Sequence, residues 1–152
     1  MSLMSGDQAR ANASTGQRGE DTAAHYLARQ GCSILARNWH ARHGEIDIVA
    51  WCPPDDPTTS TVRLSGAAPG TVLAFVEVRT RHGRAGLAEE SISRHKAVSM
   101  TEAAYAYMAA HDLDPEAIAW RIDLVAISMS GAGIKSINWI KGVLDEGMVF
   151  GE

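Results

Sequence analysis

No stretch of this chain approaches the ~18 consecutive apolar residues that a membrane-spanning helix needs. The N-terminus carries no basic-then-apolar signal pattern, so the expectation is a cytoplasmic protein without membrane contact. Cysteine is scarce. Cys32 and Cys52 form neither a CxxC pair nor a metal-binding quartet, and the expected state is two buried or incidental thiols. A basic excess is missing too. The formal net charge of −4 argues against a protein that coats nucleic acid non-specifically. It leaves room for a local basic groove. Arg79, Arg81, Arg84, Arg94 and Lys96 fall in one segment with His82 and His95, and Arg37, His40, Arg42 and His43 form a second cluster. On charge alone, both read as solvated loops before they read as binding surfaces.

What is present fits one domain. At 152 residues and 45% apolar content, the chain is long and apolar enough to bury a core. Residues 1–15 are small and polar and are expected to be a disordered tail ahead of a single domain over 16–152. Gly16 to Gln30 reads as a helix, capped by Ser14 or Thr15 and ended by Gly31. Strands are expected over Ser33–Asn38, Glu45–Trp51 and Val72–Arg79, with a turn around His40 to Gly44. Residues 52–71, rich in proline, glycine and threonine, read as a mobile loop insertion. A long helix is expected over Ala88–His111, with Ile92, Lys96, Ser99, Ala103 and Ala106 on one face. Strands Arg121–Ser128 and Lys135–Lys141 follow, and Val143–Phe150 is an apolar tail. The order α-β-β-β-α-β-β predicts an α/β layer structure with helices on a central mixed sheet.

The chemistry concentrates in two strands that carry acids. Along a strand, side chains alternate faces. Glu45 and Asp47 should therefore share one face, with Ile46, Ile48 and Ala50 opposite. Glu77 and Arg79 should share one face, with Val72, Ala74, Val76 and Val78 opposite. Acids inside such strands are costly unless something neutralises them, and a divalent cation is a good partner. A metal held by two or three acids also supplies what phosphodiester hydrolysis needs, charge neutralisation and an activated water. The minimal set is Asp47 with Glu77-Val78-Arg79, the Val78 carbonyl adding an oxygen. Glu20 lies on the apolar stripe of the first helix with Ala23, Ala24 and Leu27 and can approach the same ion. A carboxylate favouring the helix N-terminus is its plainer role. His40-x-x-His43 is a weak zinc pattern, without a third ligand at fixed spacing. The four tryptophans read as core edges rather than base-stacking platforms.

One set of motifs goes further. It runs Gly16-x-x-Gly19-Glu20-x-x-Ala23, Tyr26-Leu27, Asn38, Gly44-Glu45-Ile46-Asp47-Ile48-Val49-Ala50 and Phe75-Val76-Glu77-Val78-Arg79-x-Arg81. It continues through Lys96, Arg121-x-Asp123-Leu124-Val125 and Trp139-Ile140-Lys141. Together these resemble the YraN-type family of small bacterial proteins across nearly the whole domain. More broadly the chain resembles the restriction-endonuclease-like superfamily, with its PD-(D/E)xK site, near the Holliday-junction resolvase branch. The resemblance implies an αβββαβ core and a metal-dependent nuclease acting on DNA, with branched or single-stranded forms as candidate substrates. It implies catalytic roles for Asp47, Glu77, Arg79 and Glu20. It also implies Mg²⁺ or Mn²⁺ held by Asp47, Glu77, Glu20 and Val78. Arg42, Arg81, Arg84 and Lys96 would form a basic rim that binds nucleic acid. Glu45 occupies a motif position, either orienting Asp47 or reaching a phosphate through water. Junction-cutting relatives work as dimers, which leaves a homodimer open.

The chain departs from the superfamily at Arg79, where lysine is usual. An arginine stays protonated and cannot act as a general base, though it can hold a phosphate or stabilise developing charge. Arginine also occurs there in the YraN-type pattern. Lys96 is either a relocated lysine or a snorkelling surface residue. Two other readings stay open. One is a nucleic-acid-binding module that keeps the fold without efficient cleavage. The other is an adaptor protein whose acids form salt bridges only.

Overall fold

The computed structural model describes residues 6–54, 71–82, 92–131 and 133–143. Its elements follow the expected order: α1 (Gly6–Arg29), β1 (Ser33–Ala41), β2 (Gly44–Cys52), β3 (Val72–His82), α2 (Arg94–Ala110), β4 (Trp120–Ser130) and β5 (Gly133–Ile140). The strands form one sheet in the order β1-β2-β3-β4-β5. β3 and β4 run parallel, joined by the crossover that contains α2, and the other neighbours are antiparallel. Two cores cover the two faces. Ala97, Met100, Ala103, Ala104, Tyr107 and Met108 of α2 pack on Leu73, Phe75, Ile122 and Leu124. On the other face Ala23 and Leu27 of α1 pack on Ile48, Ala74, Val76, Val125 and Ile127. This α/β arrangement, a five-stranded mixed sheet flanked by two helices, is consistent with a restriction-endonuclease-like core. Among the described residues no helix is long and apolar enough to cross a membrane.

α1 starts at Gly6, well before the expected Gly16, so residues 6–15 are helical backbone and not a disordered tail. The segment holds three alanines, Ala9, Ala11 and Ala13, and extending a helix that tertiary packing already anchors avoids the cost of nucleation. Its end is as expected. Gly31 has φ 94°, and Cys32 N–H donates to Leu27 O at 3.0 Å, which is how a glycine in the left-handed region closes a helix. α2 starts at Arg94, later than expected, because the Ser93 hydroxyl caps it by accepting from Lys96 N–H at 3.2 Å. The loop at 55–70, the segment 83–91 with Arg84, and the tail from 144 lie outside the described residues.

Cys32 and Cys52 are not separate thiols; they form a disulfide. The register that pairs Ser33 with Trp51 sets them opposite each other across β1 and β2, a proximity that residue spacing alone does not reveal. Trp39 and Trp120 do belong to the core edge. Trp39 meets Tyr107 edge-on at 5.4 Å, and Trp120 meets Phe75 at 6.0 Å.

The β1–β2 turn is clamped to α2. Ser99 Oγ donates to His43 O at 3.0 Å. A Cβ built on Gly44 would lie 2.5 Å from the Ser99 carbonyl oxygen, a backbone atom that cannot swing away. Gly44→Ala is therefore expected to cost about 1–3 kcal/mol in urea denaturation, as overpacking does elsewhere. A loss under about 0.5 kcal/mol would mean that α2 slides freely on the turn.

Candidate active site

The site lies where β2 and β3 part. Their pairing runs from Cys52↔Val72 to Ile48↔Val76. One residue further along β2, Asp47 replaces the ladder with its side chain: Val78 N–H donates to Asp47 Oδ2 at 2.8 Å. Val78, expected to offer its carbonyl to a cation, holds Asp47 through its N–H. Glu77 stands beside it, close enough for its charge to act on the Asp47 carboxyl. Burial, and next the charge of Glu77, raise Asp47 to about 7, against the opposing pull of the Val78 N–H and of Lys96.

Lys96 reaches this pair from the first turn of α2. Its Nζ lies 3.5 Å from Glu77 Oε2, and its side chain is 30% exposed, so it points inward rather than snorkelling. Glu77 Oε2 is buried and accepts no hydrogen bond. Arg79 follows Glu77 on β3 and is half-buried; Arg81 and Arg42 are exposed. Ser93, which caps α2, fixes where Lys96 begins its reach.

Glu20 is half-buried on α1 and lines a cavity of about 510 Å³ with Gly16, Gln17, Arg37 and Asn38. Gly19 beside it lies directly on Thr80 of β3, where any Cβ would collide with the threonine hydroxyl. Among the described residues no three His, Cys, Asp or Glu side chains gather closely enough to hold a metal ion. Asp47 and Glu77 thus meet without Glu20 completing a trio. Glu45 faces His40, with 3.3 Å between Oε2 and Nδ1. It lines a second cavity, about 410 Å³, with His40, His95, Lys96 and Ser99.

The face expectation fails at Asp47. Ile48 and Ala50 pack with α1, as regular alternation requires, but Ile46 packs with α2 beside Val49. β2 rotates at Asp47, and so the acid is turned toward β3 rather than onto either face.

The model of the uncharacterised protein family UPF0102 matches residues 19–127, which include all the acids discussed here. The chain belongs to this family. A UPF0102 protein of Roseiflexus castenholzii is 46% identical over 115 residues, covering 75% of this chain and 78% of that one. Another from Chloroflexus aurantiacus is 38% identical over 131 residues, 86% of this chain and 92% of its own. A Vibrio cholerae member is 31% identical over 133 residues, with 87% and 93% covered. The expected YraN-type kinship is thereby established, and this UPF0102 chain spans most of its relatives' length.

Two residues of the motif set had no role assigned from sequence. Asp123 is fully buried and accepts from Arg121, Trp139 and Gly142. Its burial depends on β4 lying inside the sheet, although a lone acid in an apolar strand is itself a signal. Asn38 appeared among the motif residues without a role. Its φ of 50° is the signal, and that needs coordinates.

Proposed function

We propose that this UPF0102 protein is a DNA nuclease that uses Mg²⁺ or Mn²⁺ between Asp47 and Glu77, acting on branched or single-stranded forms. One observation carries the reading. Two half-buried carboxyl groups, Asp47 and Glu77, stand side by side, and the buried Glu77 Oε2 accepts no hydrogen bond and meets only the Lys96 ammonium, at 3.5 Å. Such crowding is unfavourable by itself and suits a hard cation with oxygen ligands. The donor set fits a weakly held Mg²⁺, which takes one or two carboxylates and completes its shell from substrate phosphates. When bound, the cation would neutralise phosphate charge and lower the pKa of its water.

The protein's own groups divide the remaining work. Val78 N–H holds the Asp47 carboxyl in place. Lys96 steadies Glu77 and stands where a phosphate oxygen needs a cation. Arg79 stays charged and would hold the phosphate. Arg42 and Arg81 extend the basic rim; Arg84, proposed for the same rim, lies outside the described residues. A second reading has its own support. With no third ligating side chain among the described residues and Lys96 already facing Glu77, a module that binds nucleic acid without cutting it is the alternative.

The test offers flap, junction, single-stranded and linear duplex DNA with Mn²⁺, wild type beside Glu77→Ala. Cleavage by the wild type should fall by about 10³-fold or more in the variant. Equal cleavage by both would expose a contaminant. Salt-sensitive binding with no cleavage of any substrate would favour the binding module.

A further inference from the structure

Asn38 sits inside β1 with φ 50°, in the left-handed region that strands do not use. Pairing continues on both sides of it. Arg37 pairs with Ile48 and Trp39 with Ile46, so the register sets Asn38 across from Asp47. Both strands change face at this step. On β1, Ala36 and Trp39 pack toward α2 at a spacing of three instead of two. On β2, Ile46 and Val49 do the same. A regular strand cannot present two residues three apart to one core. The constant register means that the two strands rotate together, as one unit.

We infer that Asn38 is a positioning residue: its left-handed backbone turns the β1–β2 ribbon so that Asp47 leaves the sheet face and reaches Val78. Asparagine suits the place. Its short polar side chain adopts the left-handed conformation at little cost, and a Cβ-branched or apolar residue does not. Without the turn, alternation would return Asp47 to the α2 face, where Val49 and Trp51 point, and the Val78 N–H would lose its acceptor. The consequence for catalysis rests on the nuclease reading above, but the geometric claim does not.

Hydrogen exchange by NMR on the metal-free full chain tests it, comparing wild type with Asn38→Ala and Asn38→Gly. Alanine should speed exchange of the Val78 amide by about tenfold or more relative to Phe75 and Leu124. Glycine, which takes the left-handed conformation freely, should keep Val78 within about twofold of wild type. If Asn38→Ala does not fold, Asn38→Ser takes its place under the same criteria. Three results overturn the inference: unchanged Val78 exchange, acceleration spread evenly over the core amides, or loss of protection with glycine as well. None of these readouts uses metal or DNA. A nuclease assay that fails while Val78 behaves as expected would count against the proposed function and leave the role of Asn38 standing.

Discussion

Asp47→Asn stabilises the metal-free protein at pH 8 by roughly 2–4 kcal/mol. The carboxyl titrates near 7 in the folded chain against 3.8 as its ordinary value, raised first by burial and then by the charge of Glu77. Below 3.8 the acid is protonated in both states and costs folding nothing. As pH rises toward 7, the unfolded chain releases the proton while the folded chain keeps it, and stability drains away. Above 7 both states are ionised and the full cost stands. Asparagine never ionises, and its carbonyl can still accept from Val78. Urea denaturation should therefore find variant and wild type similar near pH 4 and widely separated at pH 8. An equal difference between variant and wild type at both pH values would show that the raised titration does not come from this carboxyl. A bound cation needs Asp47 deprotonated, so Mn²⁺ affinity should climb about tenfold per pH unit below 7 and level off above it.

The part of this structure that is legible in the sequence is the part set by local pattern. The seven elements appear in the expected order because their apolar periods and turn residues are local properties. Asp47 and Glu77 could be paired on paper because a hairpin brings neighbouring strands together. Failures begin where one element answers to another. Alternation placed Ile46 and Ile48 on one face, yet they lie in opposite cores, because the backbone of Asn38 on the facing strand rotates the pair. Cys32 and Cys52 are joined through a register that depends on the extra residue taken up between Ile34 and Ala36. Gly44 looked like an ordinary turn residue, and its tight contact with the Ser99 carbonyl exists only once α2 has docked. Lys96 could be read as inward or outward from helical spacing. Its direction follows from the Ser93 cap, which starts the helix late and leaves the side chain beside Glu77.

Asp123 is expected to carry a larger stability effect than Asp47. Its carboxylate is fully buried on β4, paired in register with Val76, one position before Glu77. Four donor contacts converge on it. Arg121 Nε lies 2.9 and 3.0 Å from its two oxygens, Trp139 Nε1 donates at 3.0 Å and Gly142 N–H at 2.9 Å. The three donors come from β4, from β5 and from the chain just beyond β5, so one side chain ties the sheet edge to its interior. Asp123→Ala removes the acceptor and leaves a guanidinium, an indole N–H and an amide facing a buried gap. The expected loss is about 3–5 kcal/mol, near the whole stability of many small domains. Asp123→Asn should lose less, about 1–3 kcal/mol, because one oxygen still accepts while the new NH₂ group faces donors. Adding Arg121→Met to Asp123→Leu should recover part of the loss, since the uncompensated charge goes with the arginine; the indole and Gly142 N–H groups still lack an acceptor. Urea denaturation orders the variants, and the expected order from most to least stable is wild type, Asp123→Asn, Asp123→Ala. Alanine costing under about 1 kcal/mol would mean that water replaces the carboxylate at this point and that the node does not hold β5 to the sheet.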